Sequence, residues 1–123
     1  MELFVWVLLL LNACWDLLSF LSICIGGSRC QPIANMHLGL WIDQNDQNNP
    51  AAVFLMSLGT LVMGASRISA CIDESQWLVA CCSYLVEFIF AAFGVSLGLL
   101  HATSGVFIAI SSVALAAIVF IFH

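Results

Sequence analysis

Three ionisable residues stand in apolar surroundings: Asp16 in "NACWDLLSF", Arg67 in "GASRISA" and Glu87 in "YLVEFIF". One base and two acids so placed can do three kinds of work. They can relay protons, line a pocket for a polar ligand, or clasp neighbouring helices at one rotation and register. Each would cost about 2.5–3.5 kcal/mol at the centre of a membrane span if it faced lipid alone, so such residues turn inward and find partners. Arg67 is half of the positive charge of the chain, the other half being Arg29, and lysine is absent.

Depths follow from a helical rise of about 1.5 Å per residue. Counted from the polar turn at 73–76, Arg67 lies about 7 residues deep and Glu87 about 12, a vertical offset of roughly 7–9 Å. An extended arginine spans that distance, so Glu87 is its expected partner. Asp16 is offset from Arg67 by about 11 Å. It then takes Asn12 one turn earlier, a hydroxyl such as Ser83 or Tyr84, or a proton. Arg67 has a second option, snorkelling to the headgroups beside Asp73 and Glu74. A conducting path needs polar groups through the whole thickness, and the last span offers only Ser111 and Ser112 at mid-depth.

Other chemistry has little to stand on. There is no H-E-x-x-H, no G-x-S-x-G and no glycine-rich phosphate loop, so an enzyme is not expected. His37, His101 and His123 fall near span or loop ends, with His123 on the opposite membrane face from the other two. Taken singly, His101, His37, Glu87, Gln76 and Asn12 are side chains able to ligate a metal or a chlorophyll magnesium. Of the six cysteines, those in or at the ends of apolar spans read as small hydrophobes, and Cys24 with Cys30 are spaced to bridge at the mouth of the first loop. The run "DQNDQNNP" begins like a calcium loop at Asp43, Asn45 and Gln47. It has Asn48 where glycine is needed and Phe54 where the bidentate glutamate belongs, so a solvated loop is expected.

Composition says what must position these groups. The chain is 63% hydrophobic and 7% charged over 123 residues, against about 25% charged in soluble domains. A net charge of −5 excludes nucleic acid and polyanionic lipid patches as partners. Four apolar runs, roughly 3–25, 51–72, 76–100 and 104–122, have the length a bilayer of about 30 Å requires. Backbone satisfaction in lipid makes them helices. The first lacks a basic leader, carries Glu2 and outruns a signal-peptide core, so it reads as a retained span. Short second and third connections give an up-down four-helix transmembrane bundle, one all-α domain over 1–123, with both termini on one side.

The long first loop, 26–50, contains "PIANMHLGLW". Pro32 at a first helical turn, with Ile33, Met36, Leu40 and Trp41 along one face, predicts a short interfacial helix with Trp41 at headgroup depth. Small residues mark helix faces: Gly94 and Gly98 as G-x-x-x-G, Thr60 with Gly64, Gly105 with Ala109, and Ser112 with Ala116. They permit close backbone approach, to a helix of this chain or of another. One arginine near each face leaves sidedness undecided.

The arrangement of Arg67, a short polar turn and Glu87 resembles two families in outline. Light-harvesting proteins pair Glu with Arg between helices, although their Glu-x-x-x-x-His-x-Arg pattern is absent here. The four-span scaffold proteins of sterol biosynthesis in the endoplasmic reticulum share the Arg–turn–Glu order over the stretch around Arg67–Phe88, without the lysines and basic tails. The reading that follows is a non-catalytic accessory subunit of a larger membrane complex, packing against other integral membrane subunits, lipids or pigments. A photosystem-type assembly of the thylakoid, with chlorophyll and carotenoid, is the leading form. The alternatives are a scaffold docking membrane enzymes in the endoplasmic reticulum, and a small transporter or proton channel using Asp16, Arg67 and Glu87. The inner mitochondrial membrane is a further setting.

Overall fold

The computed structural model describes residues 1–42 and 49–123; the calcium-like stretch 43–48 lies outside the described residues. Five α-helices follow in order: α1 Leu3–Ile25, α2 Gln31–Trp41, α3 Pro50–Ile72, α4 Trp77–Ser96 and α5 Ala102–Phe122. A short 3-10 turn, Glu74–Gln76, joins α3 to α4. Four of the helices are long and apolar enough to cross a membrane, α5 being the most apolar with a mean hydropathy of 2.7. Over the described residues the chain is thus an all-helical, multi-pass membrane bundle.

Local signals explain the ends. Gly26 and Gly27 take φ values of 67° and 89°, a left-handed exit that stops α1. Pro50 opens α3, and the side chain of Asn49 accepts from the Ala51 amide at 3.0 Å. Asp73 closes α3 and accepts from the Ser75 amide at 3.0 Å. Hydrogen bonds from Ser75 hold its carboxylate below the usual range.

The expected third span is shortened. α4 stops at Ser96, and Gly98 sits at φ 70° in the cap, with Gly98 N–H bonded to Val95 O and Leu99 N–H to Gly94 O. That bond pair is a Schellman cap. Gly94 and Gly98 therefore do not share a packing face: a Cβ at Gly94 would run into Leu100 of the following turn. The pattern that read as G-x-x-x-G is a helix terminator. The other small residues do pack, and within this chain. Gly64 of α3 lies against Asp16 and Leu17 of α1, Gly105 of α5 against Val95 of α4, and Ala109, Ser112 and Ala116 form the buried face of α5.

Both chain ends and the α3–α4 turn gather at one end of the bundle. There Glu2 N–H bonds to Phe122 O at 3.2 Å, Trp6 Nε1 donates to Cys71 O at 2.9 Å, and Trp77 stacks on His123 at 3.6 Å. The core at this end comprises Val5, Leu9, Ala70, Tyr84, Ala116 and Val119. At the other end Leu38, Trp41, Ala91, Ile108 and Ala109 pack around α2. Large apolar side chains line the outer faces of all four spans, as a hydrocarbon solvent requires.

α2 forms as expected, but it buries a different face from the one the sequence suggests. Its buried stripe is Ala34, His37, Leu38 and Trp41, whereas Met36 is 60% exposed. His37 bonds to Thr60, about 15 Å along α3 from Pro50, so α2 dips into the bundle. Trp41 is buried edge-on against Phe90 at 5.7 Å, and its carbonyl accepts from the His101 amide. Two stripes with helical spacing compete on this helix. The winning one has a small residue for close approach and a polar residue with a partner inside.

Candidate functional site

In a helix every Cα–Cβ bond tilts toward the N-terminus. α3 runs toward the α3–α4 turn, so Arg67 points away from the headgroups and into the bilayer. α1 and α4 start at that same end, so Asp16 and Glu87 lean back toward Arg67. The three side chains converge although their Cα atoms sit at different depths.

The resulting clasp engages all three guanidinium nitrogens and one flat face. Nη1 donates to Asp16 Oδ2 at 2.7 Å, Nη2 to Glu87 Oε2, and Nε to Ser83 Oγ at 3.3 Å. The Tyr84 ring lies 4.0 Å beneath the guanidinium carbon, within cation–π range. Glu87 Oε1 accepts from Ser112 Oγ at 2.9 Å, so groups from α1, α3, α4 and α5 close on one cation. Arg67 is 2% exposed. It clasps the bundle and does not snorkel.

The expected division of partners needs correction. Asp16 bonds to Arg67 directly, while Asn12 Nδ2 donates to its own helix at Leu8 O, 2.9 Å away. Ser83 and Tyr84 serve Arg67, not Asp16. The estimate of an 11 Å gap compared Cα levels and left out the side-chain tilt.

The candidate axial ligands are spread out. His37 is 4% exposed, and its Nε2 lies 2.8 Å from Thr60 Oγ1. His101 is exposed at the start of α5, with Nδ1 3.2 Å from Ser104 Oγ. Gln76 sits in the turn at the opposite end, and Glu87 belongs to the clasp. Among the described residues no three His, Cys, Asp or Glu side chains form a metal-holding group. All six cysteines are free thiols, so Cys24 and Cys30 are not bridged.

The His37–Thr60 bond escaped the sequence reading, which placed His37 at the interface. It has a consequence for pH. His37 lies outside the four spans, and burial lowers its pKa from 6.5 to about 4. The unfolded chain therefore takes up a proton between about pH 6.5 and 4 that the folded chain refuses. Stability from this group is full above 6.5 and falls as pH drops through that window. The unfolding midpoint in detergent is expected to decline from pH 7 to 4.5, less steeply for His37→Gln. Equal slopes would show that His37 does not contribute.

A cavity of about 440 Å³ lies beside the clasp. Its inner end is formed by Asp16, Arg67, Glu87, His37 and Thr60. Its mouth lies between α3 and α4, where Leu58, Val62, Val86 and Phe90 both line it and face outward.

No protein-family model, curated protein sequence or solved structure matches this chain. Fold and site together define a four-span helical membrane protein closed by a buried arginine between two carboxylates.

Proposed function

We propose that this chain is a non-catalytic accessory subunit of a larger membrane assembly, packing its outer faces against neighbouring integral subunits and lipids. The observation that supports this most is the way Arg67 is engaged. Both of its terminal nitrogens, its Nε and its flat face are engaged in holding the four spans together. The charge that looked like chemistry thus acts in architecture. The outer surface is left as a continuous supply of leucine, isoleucine and phenylalanine for neighbours.

The narrower form of the proposal is a pigment-bearing, photosystem-type assembly of the thylakoid. Of the proposed ligands, exposed His101 is the one presented at the surface, where a chlorophyll held by a neighbour would meet it. The endoplasmic reticulum and the inner mitochondrial membrane are the other settings, the first with a scaffold role. Extraction in mild detergent followed by native electrophoresis and absorbance tests the reading. The 13.3 kDa chain should migrate in an assembly several times its size, with co-migrating chlorophyll in the thylakoid form. A colourless monomer that passes protons in liposomes would sink the proposal and favour the transporter reading.

A further inference from the structure

The cavity beside the clasp has two chemically different ends. Its volume of about 440 Å³ falls within the range of small-molecule sites, about 300–1,000 Å³. The mouth is apolar and opens sideways, toward the region lipid tails occupy. The inner end is polar and short of positive charge and of hydrogen-bond donors.

The charge shortage is arithmetic. One guanidinium faces the carboxylates of Asp16 and Glu87, which leaves one negative charge over. Arg29, the only other arginine, is exposed beyond the end of α1. An uncompensated charge in a low-dielectric interior is strongly disfavoured, so this end calls for one more positive group.

The donor shortage comes from His37. Thr60 Oγ1 donates to Met56 O at 2.8 Å, so toward His37 it can only accept. The ring proton is therefore on Nε2, and Nδ1 is a bare acceptor. Nδ1 is buried and has no hydrogen-bond partner, in a residue that lines the cavity. Glu87 acts electrostatically on the same ring, so the two needs belong to one locality.

We propose that the cavity binds a single-chain amphiphile with a protonated amine head, taken up from the bilayer. The ammonium occupies the inner end against Glu87 and His37, and the tail leaves between α3 and α4 past Val62 and Val86. An ammonium supplies both missing things at once: one positive charge and three N–H donors. A hydroxyl head of equal length satisfies His37 but leaves the charge, and a carboxylate head adds to it. This site is independent of any partner subunit, so its test separates cleanly from that of the accessory role.

The purified full-length protein in phosphatidylcholine nanodiscs at pH 7.5 is titrated with hexadecylamine, hexadecanol and palmitate. Tryptophan emission is one readout, because Trp15 and Trp41 line the cavity, and the unfolding midpoint is the other. Hexadecylamine is expected to saturate at one per chain and to bind at least ten-fold more tightly than hexadecanol, with palmitate weaker still. Glu87→Gln should bring the amine down to the level of the alcohol. Gly59→Phe plugs the cavity from a position where an added Cβ meets nothing within 4 Å, and it leaves the clasp alone. It should abolish the saturable signal, and Val62→Phe at the exposed mouth is an independent block. Equal binding of amine and alcohol would mean that a proton on a carboxylate already meets the charge, and it overturns the proposal. So does unchanged amine binding in both blocked variants.

Discussion

Arg67→Gln is expected to lower the unfolding free energy by about 3–5 kcal/mol, the range for removing one partner of a buried ion pair. The loss comes less from the missing bonds than from what stays behind. Asp16 and Glu87 would face each other in the bundle with no cation between them, each partly buried. Glu87→Gln alone should cost much less, since it leaves a one-to-one pair of Arg67 with Asp16. The informative step is the double variant. In the Arg67→Gln background, Glu87→Gln removes an unpaired carboxylate and should restore stability, reversing the sign of its effect. Denaturant unfolding in detergent, followed by tryptophan emission, measures all four corners of the cycle. Additive effects, or an Arg67→Gln cost under about 1 kcal/mol, would mean that the clasp does not hold the bundle.

Gly64→Leu should be the next most damaging change. A Cβ at this position would stand 3.1 Å from the Cβ of Asp16 and from Leu17, so even alanine requires α1 to give by a few tenths of an ångström. Overpacking of a tight contact costs about 1–3 kcal/mol. Leucine belongs at the top of that range, because the atoms it displaces include the stem of the aspartate that Arg67 holds. Gly59→Leu is the comparison, one turn and a residue away on the same helix, with nothing within 4 Å of an added Cβ. Its stability should change by less than about 1 kcal/mol. If the two leucine variants unfold alike, helix propensity rather than α1–α3 contact controls the glycine sites.

The spans were readable because each is an uninterrupted apolar run of bilayer length, and no soluble alternative competes for such a run. What misled was local chemistry with two uses. Glycine four residues after glycine serves a packing face or a helix end, and at Gly94 and Gly98 only the backbone beyond Ser96 decides which. The stripe on α2 likewise had two candidates. Its choice depended on Thr60, a residue of α3 whose hydroxyl no local pattern ties to His37. The Arg67–Glu87 pair was legible from depth alone. The bond to Asp16 was not, although side-chain tilt with helix direction would have revealed it.

The clasp also orders events during synthesis. Arg67 is separated from Asp16 by 51 residues and from Glu87 by 20. α1 therefore reaches the bilayer long before Arg67 is available to its aspartate. α3 and α4, joined by a turn of a few residues, can enter as a hairpin that carries its own neutralising pair. The first helix waits with its acid uncovered, and the ribosome must deliver the hairpin before the bundle can shut. A nascent chain arrested before Arg67 should thus be held at the insertion machinery, and release into lipid should follow emergence of the second helical pair.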